Sequence, residues 1–308
     1  MILYRDLDFS LDLPCVLALG CFDGVHAGHA AVISRARALA DKYSLPLTVF
    51  TFSEPARNFF SPGCVPLILS EDDKTALLSK LGVDITVSLP LSADILSMSA
   101  QDFVQDIILD KMRASHVVCG YNYTFGKNAA GTPALLSQAC AQRGVEVTVV
   151  PEYTHSGQAV SSSVIRSAIT DGDMQTATAY LCRPFSICAS VVDGQHLARR
   201  LGFPTVNVIP PQGLVTPRRG VYVSRVLFDG DSYFGITNIG MRPTVDTNIL
   251  CAETHIFDFD GDLYGKRIRI EFLHFLREET KFESIDALSC QVTSDIEAAK
   301  QYIKDIEK

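Results

Sequence analysis

Two histidines three residues apart, His26 and His29, stand in a glycine-marked run, Gly20-Cys21-Phe22-Asp23-Gly24-Val25-His26-Ala27-Gly28-His29. Imidazoles at that spacing share one face of a helical turn. Ahead of them Pro14 to Leu19 is an apolar run of strand length, and behind them Ala30 to Tyr43 carries Val32, Ile33, Ala36, Leu39 and Ala40 at helical spacing. The expected unit is strand, tight loop, helix. Gly20, Gly24 and Gly28 let the backbone approach a ligand, and the first helical turn offers unpaired N–H groups and the positive end of the helix dipole. A loop with free amides and two imidazoles suits a polyphosphate. The glycine spacing is not G-x-G-x-x-G and no G-x-x-x-x-G-K-[ST] occurs, which excludes the dinucleotide fingerprint and the P-loop.

Three further stretches carry possible chemistry. Ser161-Ser162-Ser163-Val164-Ile165-Arg166 puts hydroxyls at a helix start with an arginine one turn in, which suits a leaving pyrophosphate, although serine as a plain helix cap explains the same run. Within Ala198-Arg199-Arg200-Leu201-Gly202-Phe203-Pro204-Thr205-Val206-Asn207, Thr205 and Asn207 offer neutral oxygens of the kind Mg²⁺ takes beside water and phosphate oxygens. Proline, threonine and asparagine are equally turn residues. Gly120 to Gly131 is a glycine-punctuated loop with Tyr121, Asn122, Tyr123 and Phe125, which as residues alone also reads as a turn.

The elements that must position these residues fall into two patterns. From Pro14 to about Thr154, short β-rich runs (Leu45 to Phe52, Asp84 to Leu89, His116 to Gly120, Val145 to Val150) alternate with helices from Ser70, from Ser99 to Arg113 and from Pro133 to Gln142. Such alternation implies a parallel sheet that binds ligands beyond the carboxyl ends of its strands. A helix from near Ser163 to about Leu181, interrupted in composition by Asp171-Gly172-Asp173, leads to a boundary at Cys182-Arg183-Pro184. Beyond it the period becomes two, with strands over Phe185 to Val192, Gly220 to Phe228, Tyr233 to Ile239, Ala252 to Phe259 and Lys266 to Phe275. Asp229-Gly230 and Asp260-Gly261-Asp262 read as hairpin turns. A last helix, Ser284 to Ile306, bears an apolar stripe of Ile285, Leu288, Val292, Ile296, Ala299 and Ile303. The fold expected is an α/β parallel-sheet, Rossmann-like domain over residues 1–182, then a small antiparallel β-barrel with a C-terminal helix over 183–308.

At 308 residues the chain accommodates two cores, and 47% hydrophobic with 20% charged residues describes an ordinary soluble protein. A formal charge of −8 argues against a nucleic-acid partner, and the basic pairs Arg199-Arg200 and Arg218-Arg219 read as phosphate contacts or solvated loops. Nine cysteines without a C-x-x-C pair read as thiols of a reducing cytosol rather than a zinc site. Neither a signal-peptide pattern nor a run near 18 apolar residues occurs, so a cytoplasmic protein without membrane contact is expected.

The string Phe22-Asp23-Gly24-Val25-His26-Ala27-Gly28-His29 resembles the H-x-G-H signature of nucleotidyltransferases, and specifically the bacterial bifunctional riboflavin kinase/FAD synthetase family. Ser161 to Arg166 resembles its S-S-T-x-I-R, with Ser163 where threonine is usual, and Gly120 to Gly131 resembles its G-x-N-F-x-F-G-x-x-x-x-G, with Tyr123 for phenylalanine. Ala198 to Asn207 resembles the kinase signature G-R-x-L-G-F-P-T-A-N, with Ala198 for glycine. Asn238-Ile239-Gly240-Met241-Arg242-Pro243-Thr244, Glu253-Thr254-His255 and Asp262-Leu263-Tyr264-Gly265 follow in the family's order, so the match spans roughly residues 14 to 282.

The resemblance implies the following roles. His26, His29 and Arg166 serve the α-phosphate and pyrophosphate of ATP, and Gly20, Phe22, Asp23, Gly24, Gly28, Ser162 and Ser163 shape the same nucleotide site. Asn122 and Phe125 contact flavin. Gly202, Pro204 and Thr205 bind the second nucleotide, Thr205 and Asn207 hold Mg²⁺, and Glu253 is the general base that takes the riboflavin 5′-hydroxyl proton. Arg277 contacts flavin. The substrates implied are ATP, riboflavin and FMN, with no obligatory protein partner. One run departs: where the family reads T-F-x-P-H-P, this chain has Thr51-Phe52-Ser53-Glu54-Pro55-Ala56. A kinase that has lost adenylylation, or a non-catalytic flavin-binding regulator, are the alternative readings.

Overall fold

The computed structural model describes residues 1–193, 203–243 and 248–307. Ala198, Arg199, Arg200, Gly202 and Thr244 lie outside the described residues. The chain divides into two compact units, Met1–Ser162 and Ser163–Lys308.

In the first unit six strands form one parallel sheet: β1 (Ile2–Tyr4), β2 (Cys15–Leu19), β3 (Leu47–Phe52), β4 (Ile85–Leu89), β5 (Ala114–Gly120) and β6 (Glu146–Val150). Their order is β1-β4-β3-β2-β5-β6, so β3 and β4 build outward on one side of β2 while β5 and β6 build on the other. The chain reverses direction across the sheet between β2 and β5, and the crevice beyond their carboxyl ends is where such folds bind ligands. Residues Cys15–Leu19 are buried throughout, as a central parallel strand covered on both faces requires. Strand β1 carried no periodic signal at three residues.

Helix α1 (Ala27–Tyr43) starts inside the histidine loop and buries Val32, Ile33, Ala36, Leu39 and Ala40. A single turn, α2 (Arg57–Phe60), and α3 (Glu71–Lys80) follow β3. The Ser70 hydroxyl caps α3 by accepting from Asp73 N–H at 3.1 Å, as the acid-rich first turn predicts. The helix expected over Ser99 to Arg113 differs in kind. After a short α4 (Ala93–Ser97) comes a Ser99-capped turn, α5 (Ala100–Asp102), which continues as a π-helix, Phe103–Lys111. Met112 N–H bonds the Ile107 carbonyl five residues back. Apolar spacing reports which side chains are buried, here Phe103, Val104, Ile107 and Ile108, and not the size of the hydrogen-bonded ring. Helix α6 (Pro133–Ala141) and the two-residue strands β7 (Thr154–His155) and β8 (Gln158–Ala159) complete the unit.

At the interruption marked by Asp171-Gly172-Asp173 the helix expected to Leu181 divides into two, α7 (Ser162–Asp171) and α8 (Met174–Leu181). Gly172 at φ 82° ends the first, and Asp173 caps the second by accepting from Thr176 N–H at 3.0 Å. The second unit's strands are β9 (Phe185–Val192), β10 (Thr205–Val208), β11 (Gly220–Phe228), β12 (Asp231–Pro243), β13 (Asn248–Ile256) and β14 (Arg267–Arg277). They close an antiparallel barrel in the order β10-β13-β12-β11-β14-β9. Asp229 and Gly230, at φ 51° and 93°, make the expected two-residue hairpin between β11 and β12. The hairpin expected at Asp260-Gly261-Asp262 does not form. β13 pairs with β12 and β10 whereas β14 pairs with β11 and β9, so the segment crosses to the other side of the barrel. The last helix, α9 (Ile285–Ile306), capped by Ser284, packs Ala299 and Ile303 with Val221, Val223, Ile236 and Phe257. Ile285, in its first turn, is 58% exposed and lies off the buried stripe.

Candidate active sites

The first site gathers at the switch point. Leaving β2, the backbone takes left-handed values at Phe22 (φ 51°), Gly24 (φ 83°) and Val25 (φ 40°) before entering α1. Two of those residues bear side chains, one of them β-branched, and such positions cost about 1–3 kcal/mol each. The strain delivers His26 to the N-cap of α1, where its Nδ1 accepts from the His29 N–H at 3.3 Å. With Nδ1 accepting, the proton of a neutral His26 ring sits on Nε2. The His26 and His29 rings stack at 3.6 Å and 17°, and Phe22 meets His29 edge-on at 5.2 Å. A Cβ on Gly28 would lie 3.2 Å from the His26 ring, and one on Gly20 would lie 2.9 Å from that of Phe22. Glycine at both positions is what admits these rings.

Behind the loop, buried Asp23 accepts from the Ile68 N–H at 2.9 Å through Oδ1, while its carbonyl accepts from the Ser162 hydroxyl at 2.9 Å. That bond joins residues 139 apart in sequence. Thr51 Oγ1 donates to the Cys21 carbonyl at 2.8 Å. Lys74 of α3, 4% exposed, donates to the Phe52 carbonyl at 2.6 Å. Burial pulls its pKa down, opposed by the charges of Cys21, Asp23 and Glu71. Sequence reasoning missed Lys74, since a lysine in a polar helix looks solvated.

A cavity of about 580 Å³ opens beyond the carboxyl ends of β2, β3 and β5. It is lined by Gly20, Phe22, His26, Gly28, His29 and Ser162, and across from them by the loop after β5, including Asn122 and Phe125. Phe125 is 6% exposed, packed against Phe103 at 5.5 Å and Tyr123 at 5.6 Å, whereas Asn122 is exposed. Burial drives the Tyr123 hydroxyl pKa far up. Asp23 and Gly24 shape the loop without lining the cavity. Ser163 and Arg166 follow Ser162 in α7, the arginine half-buried, and fall past the boundary of the first unit.

The second site is built by strand register. Asn207 of β10, Glu253 of β13 and Asn238 of β12 are direct cross-strand partners, and Thr205, His255 and Ile236 are the next such row. Alternation along each strand puts both rows on one face. Thr205 and Asn207 thus lie in a strand and not in the turn their residue types also allowed. Asn207 is 4% exposed, and its Oδ1 accepts from the Cys251 thiol at 3.6 Å. His255 Nδ1 lies 2.9 Å from the Pro204 carbonyl.

Two cavities flank this face. One of about 490 Å³ is lined by Pro204, Thr205, Asn207 and the loop Phe259 to Tyr264, and the other, about 290 Å³, by Thr205, Asn238, Glu253, Arg277 and Phe282. Thr205 lines both, so a phosphoryl donor in the first and an acceptor in the second would meet at Thr205 with Glu253 on the acceptor side. Arg277 is held by Asp295 of α9, its Nε and Nη2 donating at 2.9 and 2.7 Å to a carboxylate 5% exposed. Gln291 Nε2 donates to the same carboxylate at 2.9 Å. Asp295 gave no sequence signal beyond one polar residue on an amphipathic helix. The donor set of neutral Thr205 and Asn207 oxygens suits Mg²⁺, which takes few protein ligands beside phosphate and water.

Comparison with known proteins matches residues 9–164 to the FAD synthetase family model and residues 181–303 to that of riboflavin kinase. Curated relatives named bifunctional riboflavin kinase/FMN adenylyltransferase include one from Pseudomonas fluorescens, 37% identical over 93% of this chain and 92% of that one. Another, from Haemophilus influenzae, is 33% identical over 94% of each. Among solved structures, a Streptococcus pneumoniae chain described as a macrolide-efflux protein superposes with a TM-score of 0.89 at 31% identity, over 97% of this chain and 98% of that one. Among the described residues here, no helix is long and apolar enough to cross a membrane.

Proposed function

The chain belongs to the bifunctional riboflavin kinase/FMN adenylyltransferase family, and from that membership we propose how its own residues carry the two reactions. The enzyme transfers the γ-phosphoryl group of ATP to riboflavin, giving FMN and ADP. It then joins FMN to the AMP part of a second ATP, giving FAD and pyrophosphate. The observation that most supports the residue assignment is that each unit holds its own cavity, one lined by His26 and His29 and the other by Thr205 and Glu253.

In the kinase step Glu253 takes the proton of the riboflavin 5′-hydroxyl as that oxygen attacks the γ-phosphorus and ADP leaves. Arg277, fixed by Asp295, orients the flavin in the same cavity. Pro204 and Thr205, with Gly202, receive the nucleotide, and Thr205 and Asn207 would hold Mg²⁺. Bound there, the metal neutralises phosphate charge.

In the adenylylation step no base is needed, because a phosphate monoester with a second pKa near 6 is already ionised. One FMN phosphate oxygen attacks the α-phosphorus and pyrophosphate departs. His26 and His29 donate to the phosphates, helped by the amides at the start of α1. Ser162, Ser163 and Arg166 serve the leaving pyrophosphate, while Asn122 and Phe125 face the flavin. We assign residues 1–182 to adenylylation and 183–308 to phosphorylation, in a cytoplasmic enzyme that needs no nucleic acid, membrane or protein partner. The deciding experiment separates flavins after incubation with ATP and Mg²⁺. Riboflavin should give FMN and then FAD, and FMN alone should give FAD with one pyrophosphate each. Unchanged FMN, in a preparation that still phosphorylates riboflavin, would reduce the protein to a kinase.

A further inference from the structure

The histidine loop is held from behind by the start of α3 and the residues leading into it. Ile68, just ahead of α3, donates its N–H to Asp23 Oδ1 at 2.9 Å. Lys74, one turn into the helix, donates from Nζ to the Phe52 carbonyl at 2.6 Å. Thr51 Oγ1 lies 3.3 Å from that same carbonyl and donates to the Cys21 carbonyl of the loop at 2.8 Å. Thr51 is fully buried, and Asp23 and Lys74 are each 4% exposed. One buried chain therefore runs from Lys74 through Phe52 and Thr51 to Cys21, and a second joins Ile68 to Asp23.

Burying an ammonium is expensive, and an apolar side chain of the same length would pack α3 against β3 at lower cost. Burial does pull the Lys74 pKa down, opposed by Cys21 and Asp23 of the loop and Glu71 of its own helix. Lys74 is not among the residues that line the 580 Å³ cavity, whereas Cys21, His26 and His29 are. Its charge therefore bears on the chemistry through the loop. That loop needs holding, because Phe22, Gly24 and Val25 stand at left-handed φ values and such backbone persists only where its surroundings over-determine it. We propose that Lys74 is a positioning residue for adenylylation: its buried ammonium, bonded to the Phe52 carbonyl, clamps the strained loop that presents His26 and His29 to ATP. A neutral side chain at 74 leaves the Phe52 carbonyl without this donor and the buried Asp23 carboxylate without this positive neighbour. The loop then relaxes, and a shift of about 1 Å in a catalytic group is enough to cost on the order of 10²-fold in rate.

The inference rests on the adenylylation reading, and the test keeps the two apart. FAD formation from FMN and ATP is followed from neutral to alkaline pH, at varied concentrations of each substrate, for the parent, Lys74→Met and Cys21→Ser. Riboflavin phosphorylation is measured in the same preparations, and urea unfolding shows an intact first unit. Lys74→Met removes the charge and keeps the length of the side chain. At neutral pH its kcat for FAD should lie at least tenfold below the parent's, with the KM for FMN within twofold and the kinase rate unaltered. In the parent, kcat should fall as pH rises through a value below the ordinary lysine pKa of about 10.4, because the charge at 74 is lost there. Of the groups that act on Lys74, carboxylates titrate on the acid side and a thiol on the alkaline side, so Cys21→Ser separates the two: the fall should survive in Cys21→Ser and vanish in Lys74→Met. The parent's own profile is readable even where Lys74→Met does not fold. No alkaline fall in the parent, a fall that persists in Lys74→Met, or one that Cys21→Ser abolishes overturns the proposal. So does a Lys74→Met variant whose defect is confined to the KM for FMN. A parent that makes no FAD overturns the adenylylation reading as well. A parent that makes FAD beside a Lys74→Met variant that matches it overturns this inference alone.

Discussion

The two sites of this enzyme handle the same functional group by different structural means. In the first unit the residues proposed to bind phosphate sit on a loop whose backbone is held at Phe22 φ 51°, Gly24 φ 83° and Val25 φ 40°, and one histidine caps the helix that presents the other. In the second they sit on strands, where register alone aligns Asn207, Glu253 and Asn238. A loop site stores strain and depends on small residues such as Gly28 to admit its rings. A strand site needs no strain, because neighbours in a ladder are fixed by the whole barrel. Chemistry in the first should therefore fail through backbone changes, and in the second through side-chain changes.

The largest effect that would sharpen this contrast is a reciprocal loss. Glu253→Ala should lower FMN formation by about 10²–10⁴-fold, the usual worth of a general base, and leave FMN-to-FAD conversion within about twofold. His29→Ala should lower FAD formation by about 10²–10³-fold, typical of losing one preorganised donor, and spare the kinase. Flavin chromatography reads both. Equal loss of both activities in either variant would break the picture of two independent sites.

Next comes the arginine clamp of the barrel. Asp295→Ala leaves the Arg277 guanidinium without its buried carboxylate. Removing one partner of such a pair costs about 2–4 kcal/mol here, less than a fully buried pair because Arg277 retains 23% side-chain exposure. The thermal transition of the second unit should move down and the KM for riboflavin up, with FAD synthesis from FMN preserved. A normal KM with the lowered transition would make Asp295 purely structural.

A smaller effect separates stability from activity in the first unit. Gly28 lies within α1, so Gly28→Ala gains about 1 kcal/mol of helix propensity. The added methyl would stand 3.2 Å from the His26 Cε1 and push the ring from its place. Adenylylation should fall about tenfold while the urea midpoint of the first unit does not fall. The second site has a comparable position in Gly240 of β12, where an added Cβ would lie 3.1 Å from the Asn238 Nδ2.

What was legible in the sequence follows the same division. The His26/His29 loop, the alternation of strands and helices, and the period-two barrel all leave marks in spacing, as does the Asp229-Gly230 hairpin. The strand position of Thr205 and Asn207 did not, because four residues that include threonine and asparagine carry too little alternation to outweigh turn chemistry. Nor did the path of Asp260-Gly261-Asp262, since a turn sequence says that the chain reverses and not which neighbour it then joins. Lys74 and Asp295 were hidden for another reason: each is a polar residue on a helix whose burial is decided by elements distant in sequence, the Phe52 carbonyl for one and Arg277 for the other.

The smallest predicted effect bears most directly on why the loop site is strained. Val25 is 5% exposed at φ 40°, a backbone state that costs a β-branched residue about 1–3 kcal/mol. Val25→Gly removes that strain, gives up about 1.5–2 kcal/mol of side-chain burial, and adds about 0.5–1 kcal/mol of unfolded-state entropy. The gain and the losses sum to between about −2 and +1 kcal/mol, so the unfolding free energy of the first unit should change by no more than about 2 kcal/mol. Activity should not be neutral. A glycine at 25 beside Gly24 frees the loop to sample other conformations, the His26 N-cap loses its fixed approach, and FAD formation should fall several-fold with the KM for ATP rising and riboflavin phosphorylation unaltered. If activity instead stays at the parent's level, the valine merely tolerates the strain, and what places the histidines is the cap bond and the ring stack alone.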